Sequence, residues 1–140
     1  MSLASVRSYF RTNLEALNYK EWRDYINFEN IPGTIVDQSY HLETVSIAGD
    51  TADQQVYTFQ MTINVRLFRR SYNDTVATHE LLITAIEGVH AKILNVVNRT
   101  SGNLFDLIPG VATIEPLGDT TDNWQMAVIP YTAVVKLAFT

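Results

Sequence analysis

Between Tyr57 and Leu67 every second residue is apolar: Tyr57, Phe59, Met61, Ile63, Val65 and Leu67. The interleaved positions are Thr58, Gln60, Thr62, Asn64 and Arg66. A strand places successive side chains on opposite faces, so this period of two predicts a half-buried antiparallel strand. Eleven residues is about twice the usual strand length of roughly 5–6. At about 3.4 Å per residue it spans roughly 35 Å, enough to project past a small domain's body. The alternation returns from Gln125 through Ala127, Ile129, Tyr131, Ala133, Val135, Leu137 and Phe139. Pro130 falls on the other face of that strand. It has no N–H to give to a ladder, so it predicts an edge, a bulge or a bend.

Elsewhere the period changes. Leu3, Val6, Phe10, Leu14 and Leu17 recur at spacings of three and four, one apolar stripe of a helix. Ser2 is its expected N-cap and Asn18 its stop, with Arg7, Arg11, Asn13 and Glu15 on the opposite face. A second, longer helix is predicted from Asp74 or Thr75 to about Asn98, burying Leu82, Ala85, Ile86, Val89, Ile93, Val96 and Val97. Thr34 to Ile47 reads as a strand, with Tyr40, Leu42 and Thr44 alternating against His41, Glu43 and Val45. Gly49, Asp50 and Asp53 predict a turn after it, and Ser71 to Asp74 another. Leu104 to Gly110 reads as an apolar connector, Val111 to Glu115 as a short strand closed by Pro116, and 117–123 as a polar loop. The expected fold is α+β, a two-layer sandwich in the order α-β-β-α-β-β. Its antiparallel sheet has the helices packed on one face, because each element has one apolar side to bury.

Composition narrows the function. A chain of 140 residues without repeats or linkers predicts one domain, 1–140. Its formal charge of −5 argues against a free-standing nucleic-acid binder, which normally carries a basic excess. Charged residues are only 18%, below the roughly 25% of an average domain, so part of the surface is expected to be reserved for partners. The absence of cysteine excludes disulfides, thiolate zinc sites and a cysteine nucleophile. No apolar run reaches the roughly 20 residues of a membrane helix, and residues 1–7 contain no signal-peptide core, so a soluble protein without membrane contact is expected.

No catalytic constellation emerges. His79-Glu80 begins like a zinc-protease motif, but its second histidine would fall at position 83, which is Ile83. His79 and His90 share a helix face about 16 Å apart along the axis, too far for one ion. They read as solvated or interface histidines, and His41 has no companion. Asp50/Asp53 and Asp119/Asp122 read as turn formers. Asn73-Asp74-Thr75 and Asn98-Arg99-Thr100 match the glycosylation pattern by chance in a chain with no secretion signal. The expectation is no enzyme, no metal and no cofactor.

Arg66, Arg69 and Arg70 form the one basic cluster, at the end of the long strand beside Phe68. Two readings stay open: edge charges that discourage aggregation, or an ion-pairing site for a neighbouring subunit. Trp22, Tyr25 and Phe28 are either a core plug or an interface anchor. The expected oligomer interface is thus Arg66, Phe68, Arg69, Arg70 and Trp22.

An overlong strand, low charge and no catalytic cluster point to an assembly component. Across nearly its whole length the chain resembles the tail terminator (tail completion) proteins of long-tailed bacteriophages. The resemblance lies in the leading helix, Asn30-Ile31-Pro32-Gly33-Thr34 running into Tyr40-His41-Leu42, and the long strand to Arg70. The helix from Thr75 and the closing strand Tyr131-Thr132-Ala133-Val134-Val135-Lys136-Leu137 complete it. The family implies a virion protein of the tail and neck, assembled in the host cytoplasm as a homo-oligomeric, hexameric ring. That ring ends polymerisation of the tail tube protein, joins tail to the head–tail connector, and passes DNA through its lumen without sequence-specific binding. An acidic lumen would repel phosphate and keep the genome from sticking. Two alternatives remain: another phage neck or head–tail joining protein, and a small nuclear-transport-factor-2-like α+β binding or enzyme domain. The second needs polar groups converging in an apolar pocket. The apolar strand faces here are almost free of ionisable residues.

Overall fold

A computed structural model of the chain describes residues 2–22, 37–53, 56–70, 75–97, 106–117 and 124–138. The fold is α+β, with two helices and a mostly antiparallel sheet of six strands. In chain order these are α1 (Leu3–Glu15), β1 (Lys20–Glu21), β2 (Ser39–Asp53), β3 (Val56–Arg70), α2 (Thr75–Ile93), β4 (Asp106–Pro109), β5 (Thr113–Leu117) and β6 (Trp124–Ala138). The sheet order is β1-β2-β3-β6-β4, with β5 also on β6, and only the β1–β2 pair is parallel.

The helix N-terminus follows the sequence closely. The Ser5 N–H donates to Ser2 Oγ at 3.2 Å and the Ser2 N–H to Ser5 Oγ at 3.1 Å, a reciprocal cap. Asn18 stops the segment by adopting φ 66°, a left-handed conformation that asparagine tolerates. The stripe of Val6, Phe10 and Leu14 is fully buried. Asn13, expected outside, is buried as well: its side-chain amide donates to the Tyr9 carbonyl at 2.8 Å. That local bond satisfies the amide and lets it leave water.

The main core draws residues from both helices and from the sheet. Val6, Tyr9, Phe10 and Leu14 of α1 and Leu82, Val89 and Ile93 of α2 pack with Met61, Ile63, Val65 and Leu67 of β3. Ala127, Ile129, Tyr131, Ala133 and Val135 of β6 complete it. The alternating positions of β3 and β6 therefore bury the faces their sequences predict. A smaller cluster of Trp22, Phe68, Trp124 and Met126 uses the opposite parity. Since the period is two, it lies on the other face of the sheet.

Several boundaries differ from the sequence reading. β2 does not turn at Gly49-Asp50; it stays paired with β3 out to Asp53↔Val56, with irregularities at Thr44/Ser46 and Gly49/Ala52. A formed neighbouring ladder outweighs the local turn preference of glycine and aspartate. α2 ends at Ile93, short of Asn98, and Val96 and Val97 are exposed rather than part of the stripe. There the Tyr9 hydroxyl donates to the Ile93 carbonyl at 2.6 Å, satisfying one of the last-turn acceptors from outside the helix. The connector contributes β4, and β5 runs through Pro116 to Leu117. These additions, with the two-residue β1, expand the expected order of elements.

Pro130 produces neither an edge nor a bulge: its register with β3 is continuous through Asn64↔Pro130. β6 is an interior strand, paired along all of β3 on one side. On its other side β5 covers Trp124–Val128 and β4 covers Tyr131–Val134. Pro130 falls at the handover between them, where its carbonyl accepts from the Gly110 N–H at 2.8 Å. The missing donor thus coincides with a gap in the ladder.

Candidate functional site

The expected interface residues are brought together, but largely against their own chain. Phe68 is fully buried and meets Trp22 edge-to-face, ring centroids 6.1 Å apart. Arg66 places Nη2 3.3 Å from Glu43 Oε2 and Nη1 3.6 Å from Met126 Sδ. Arg69 donates from Nη1 to Gln38 Oε1 at 3.1 Å, with Nε 3.6 Å from Asp37 Oδ1. Arg70 is exposed, and its backbone N–H donates to the same Asp37 oxygen at 2.9 Å. Asp37 and Glu43 therefore offset much of the positive charge within the subunit. Reversing all three arginines would injure the fold itself, so that triple change does not isolate an interface. Tyr25 and Phe28 lie outside the described residues, as do Asn30 to Thr34.

The two helical histidines serve the fold. His79 Nε2 is 3.1 Å from Gln125 Oε1, and His90 Nδ1 is 2.7 Å from the Tyr131 hydroxyl. Both partners are on β6, so the histidine face of α2 is the face laid along that strand. Burial pushes the Tyr131 hydroxyl pKa well above its ordinary value, with Tyr9 adding to the effect. Among the described residues no three His, Asp or Glu side chains converge as a metal site, and no helix is long and apolar enough to cross a membrane. Asp119 and Asp122 lie outside the described residues, and Asp50 and Asp53 belong to β2.

The surface that sequence reasoning missed lies at the far end of the long strands. β2, β3 and β6 each run 15 residues. Along the apolar face of β3, Met61 is 3% exposed, Phe59 is half-buried and Tyr57 is 40% exposed. Ile47, paired with Met61, is 50% exposed, and Val45, at the first irregularity, is 52%. Val56 on the opposite parity is also exposed. Gly49 faces Phe59 in register, and a Cβ added there would lie 3.7 Å from the ring, so the ring packs against bare backbone. Beyond Thr44 on β2 and beyond Val134 on β6, no further strand pairs the outer edge among the described residues. The result is a three-stranded tongue with apolar side chains in water and open ladder edges, the features that mark a protein-binding surface. The alternation of Tyr57 to Leu67 gave notice of an apolar face; where its cover ends is not encoded in it.

No protein-family model matches the chain, and no curated protein matches it.

Proposed function

We propose that this chain is a ring-forming structural subunit of a long-tailed phage tail, a tail terminator that closes the head-proximal end of the tube and meets the head–tail connector. On this reading the whole chain forms one two-layer domain, the short β1 and β4 being additions to the order α-β-β-α-β-β. The carrying observation is the tongue of β2, β3 and β6, which exposes Val45, Ile47, Val56 and Tyr57 beyond the buried core. An isolated monomer gains nothing from such a surface, whereas a ring buries it against the next copy. The net charge of −5 supports a conduit through which DNA slides without adhering. The protein then acts by surface and shape, in the virion tail, with no chemical step.

Native mass measurement over a range of concentrations tests this. The expected result is one closed species of about six copies, reduced to monomers by Ile47→Asp with Tyr57→Asp while the helical signal is retained. A wild-type monomer or dimer at every concentration would overturn the ring. A ring that binds only the connector and never the tube end would transfer the chain to another neck protein.

A further inference from the structure

We propose that the cleft between α1 and the start of β2 is a receptor site for a single carboxylate, seated on the Arg7 guanidinium. The cleft is open to solvent and lined by Arg7, Arg11, Glu21, Trp22, His41 and Leu42. Its charges are unequal. Arg11 Nε lies 2.6 Å from Glu21 Oε2, and the Tyr40 hydroxyl donates to the same oxygen at 3.2 Å, so that arginine is neutralised in place. Arg7 has no such acid among the described residues. Its Nη1 donates to two neutral acceptors, the Leu42 carbonyl at 3.1 Å and Thr44 Oγ1 at 2.9 Å. Those bonds hold the guanidinium still and leave Nη2 and Nε for a ligand. A half-buried cation bonded only to neutral groups is an anion site prepared in advance.

The remaining walls select the ligand. His41 Nδ1 is 3.0 Å from the Trp22 carbonyl oxygen, which can only accept, so the proton is on Nδ1 and Nε2 remains for the cleft. Trp22 and Leu42 supply apolar walls for a short carbon stem. One uncompensated charge matches a carboxylate better than a doubly charged phosphate. The carboxylate is either a free small acid or an acidic side chain of a second copy, whose sequence carries 15 of them. The site stands apart from the tongue, and ring assembly is not needed for it.

Titration of the full chain with sodium acetate, against sodium chloride at constant ionic strength, tests the site by side-chain nuclear magnetic resonance. Saturable shifts are expected at the Arg7 guanidinium, the Trp22 indole and the His41 ring. Arg7→Gln should weaken binding about fivefold or more, as for loss of one partly exposed charge-assisted hydrogen bond. Shifts linear in acetate, equal in chloride, or centred outside the cleft would overturn the proposal, and so would unchanged affinity in a folded Arg7→Gln protein. The wild-type map decides the matter alone if that variant does not fold. If acetate also dissociates an oligomer, the natural occupant is a second copy's acid. If acetate binds with the oligomeric state unchanged, the occupant is a free carboxylate.

Discussion

Ile63 and Tyr57 lie on the same strand and the same face, six residues apart, and their surroundings are opposite. Ile63 belongs to the main core, and Val65, Leu67, Ile129 and Phe10 of the same cluster are all withdrawn from water. Around Tyr57 the strands continue with the same alternation and the same ladder, yet the apolar face is open. Backbone pairing therefore extends farther than side-chain packing does. Hydrogen-bonded strands hold the far end in shape, while its apolar surface contributes little to the stability of the single chain. A residue at the covered end acts on folding, and on the proposed ring reading a residue at the open end acts on association.

The comparison can be broken by substitution at either end. The largest effect is expected at Ile93, fully buried where α2 meets the sheet. Ile93→Ala should cost about 2–4 kcal/mol in denaturant unfolding, from lost transfer energy and the cavity left behind. Gly110→Ala comes next. A Cβ there would lie 2.8 Å from Pro130 Cγ, on a rigid ring that cannot swing away, so roughly 1–3 kcal/mol should be lost through overpacking. If Gly110→Ala is neutral, the β5-to-β4 handover is looser than its geometry implies.

The third expectation concerns alkaline pH. Burial raises the Tyr40 and Tyr131 pKa values, with Glu21 reinforcing the shift at Tyr40 and Tyr9 at Tyr131. In the unfolded chain these phenols ionise near the ordinary value of about 10, while the folded chain retains their protons. The unfolded state then binds fewer protons, so their contribution is complete below about pH 10 and is lost as pH rises above it. Unfolding free energy measured at pH 8 and pH 11 should show that fall, with a shallower fall in Tyr131→Phe. At neutral pH the same variant loses one partly buried hydrogen bond to His90, about 1 kcal/mol.

The smallest effects sharpen the contrast. Glu87→Ala on the exposed side of α2 should remain within about 0.5 kcal/mol of wild type. Ile47→Thr, at the open end, should change chain stability by a similarly small amount while reducing oligomer mass at low concentration. An Ile47→Thr chain as unstable as Ile93→Ala would mean that the tongue is packed within the subunit after all.

Much of this was legible in the sequence because it depends on short-range rules. The reciprocal Ser2–Ser5 cap, the Asn18 stop, the α2 stripe through Leu82, Val89 and Ile93, and the alternation of β3 and β6 follow from local periodicity and backbone preference. The candidate surface was only half legible: the length of β3 pointed to a projection, while the clustering of Arg66, Arg69 and Arg70 drew attention to the other end of the strand. Their charges are met by Glu43 and Asp37, distant in sequence and adjacent only after β2 pairs with β3.

The sequence by itself determined which residues share a face, since side-chain direction repeats with the backbone's own period. It also determined the acidic charge and the exclusion of cysteine chemistry. Only the tertiary structure decided where each face is covered. It carried β2 through Gly49 and Asp50, since a paired neighbour supplies ladder bonds that a turn would forgo. It set the Tyr9 hydroxyl against the last turn of α2, and placed Pro130 where one strand hands over to another. It left Arg7 beside a cleft with no acid of its own among the described residues. Each of these depends on groups far apart in the chain, and a periodic pattern carries no information about which distant surface will meet it.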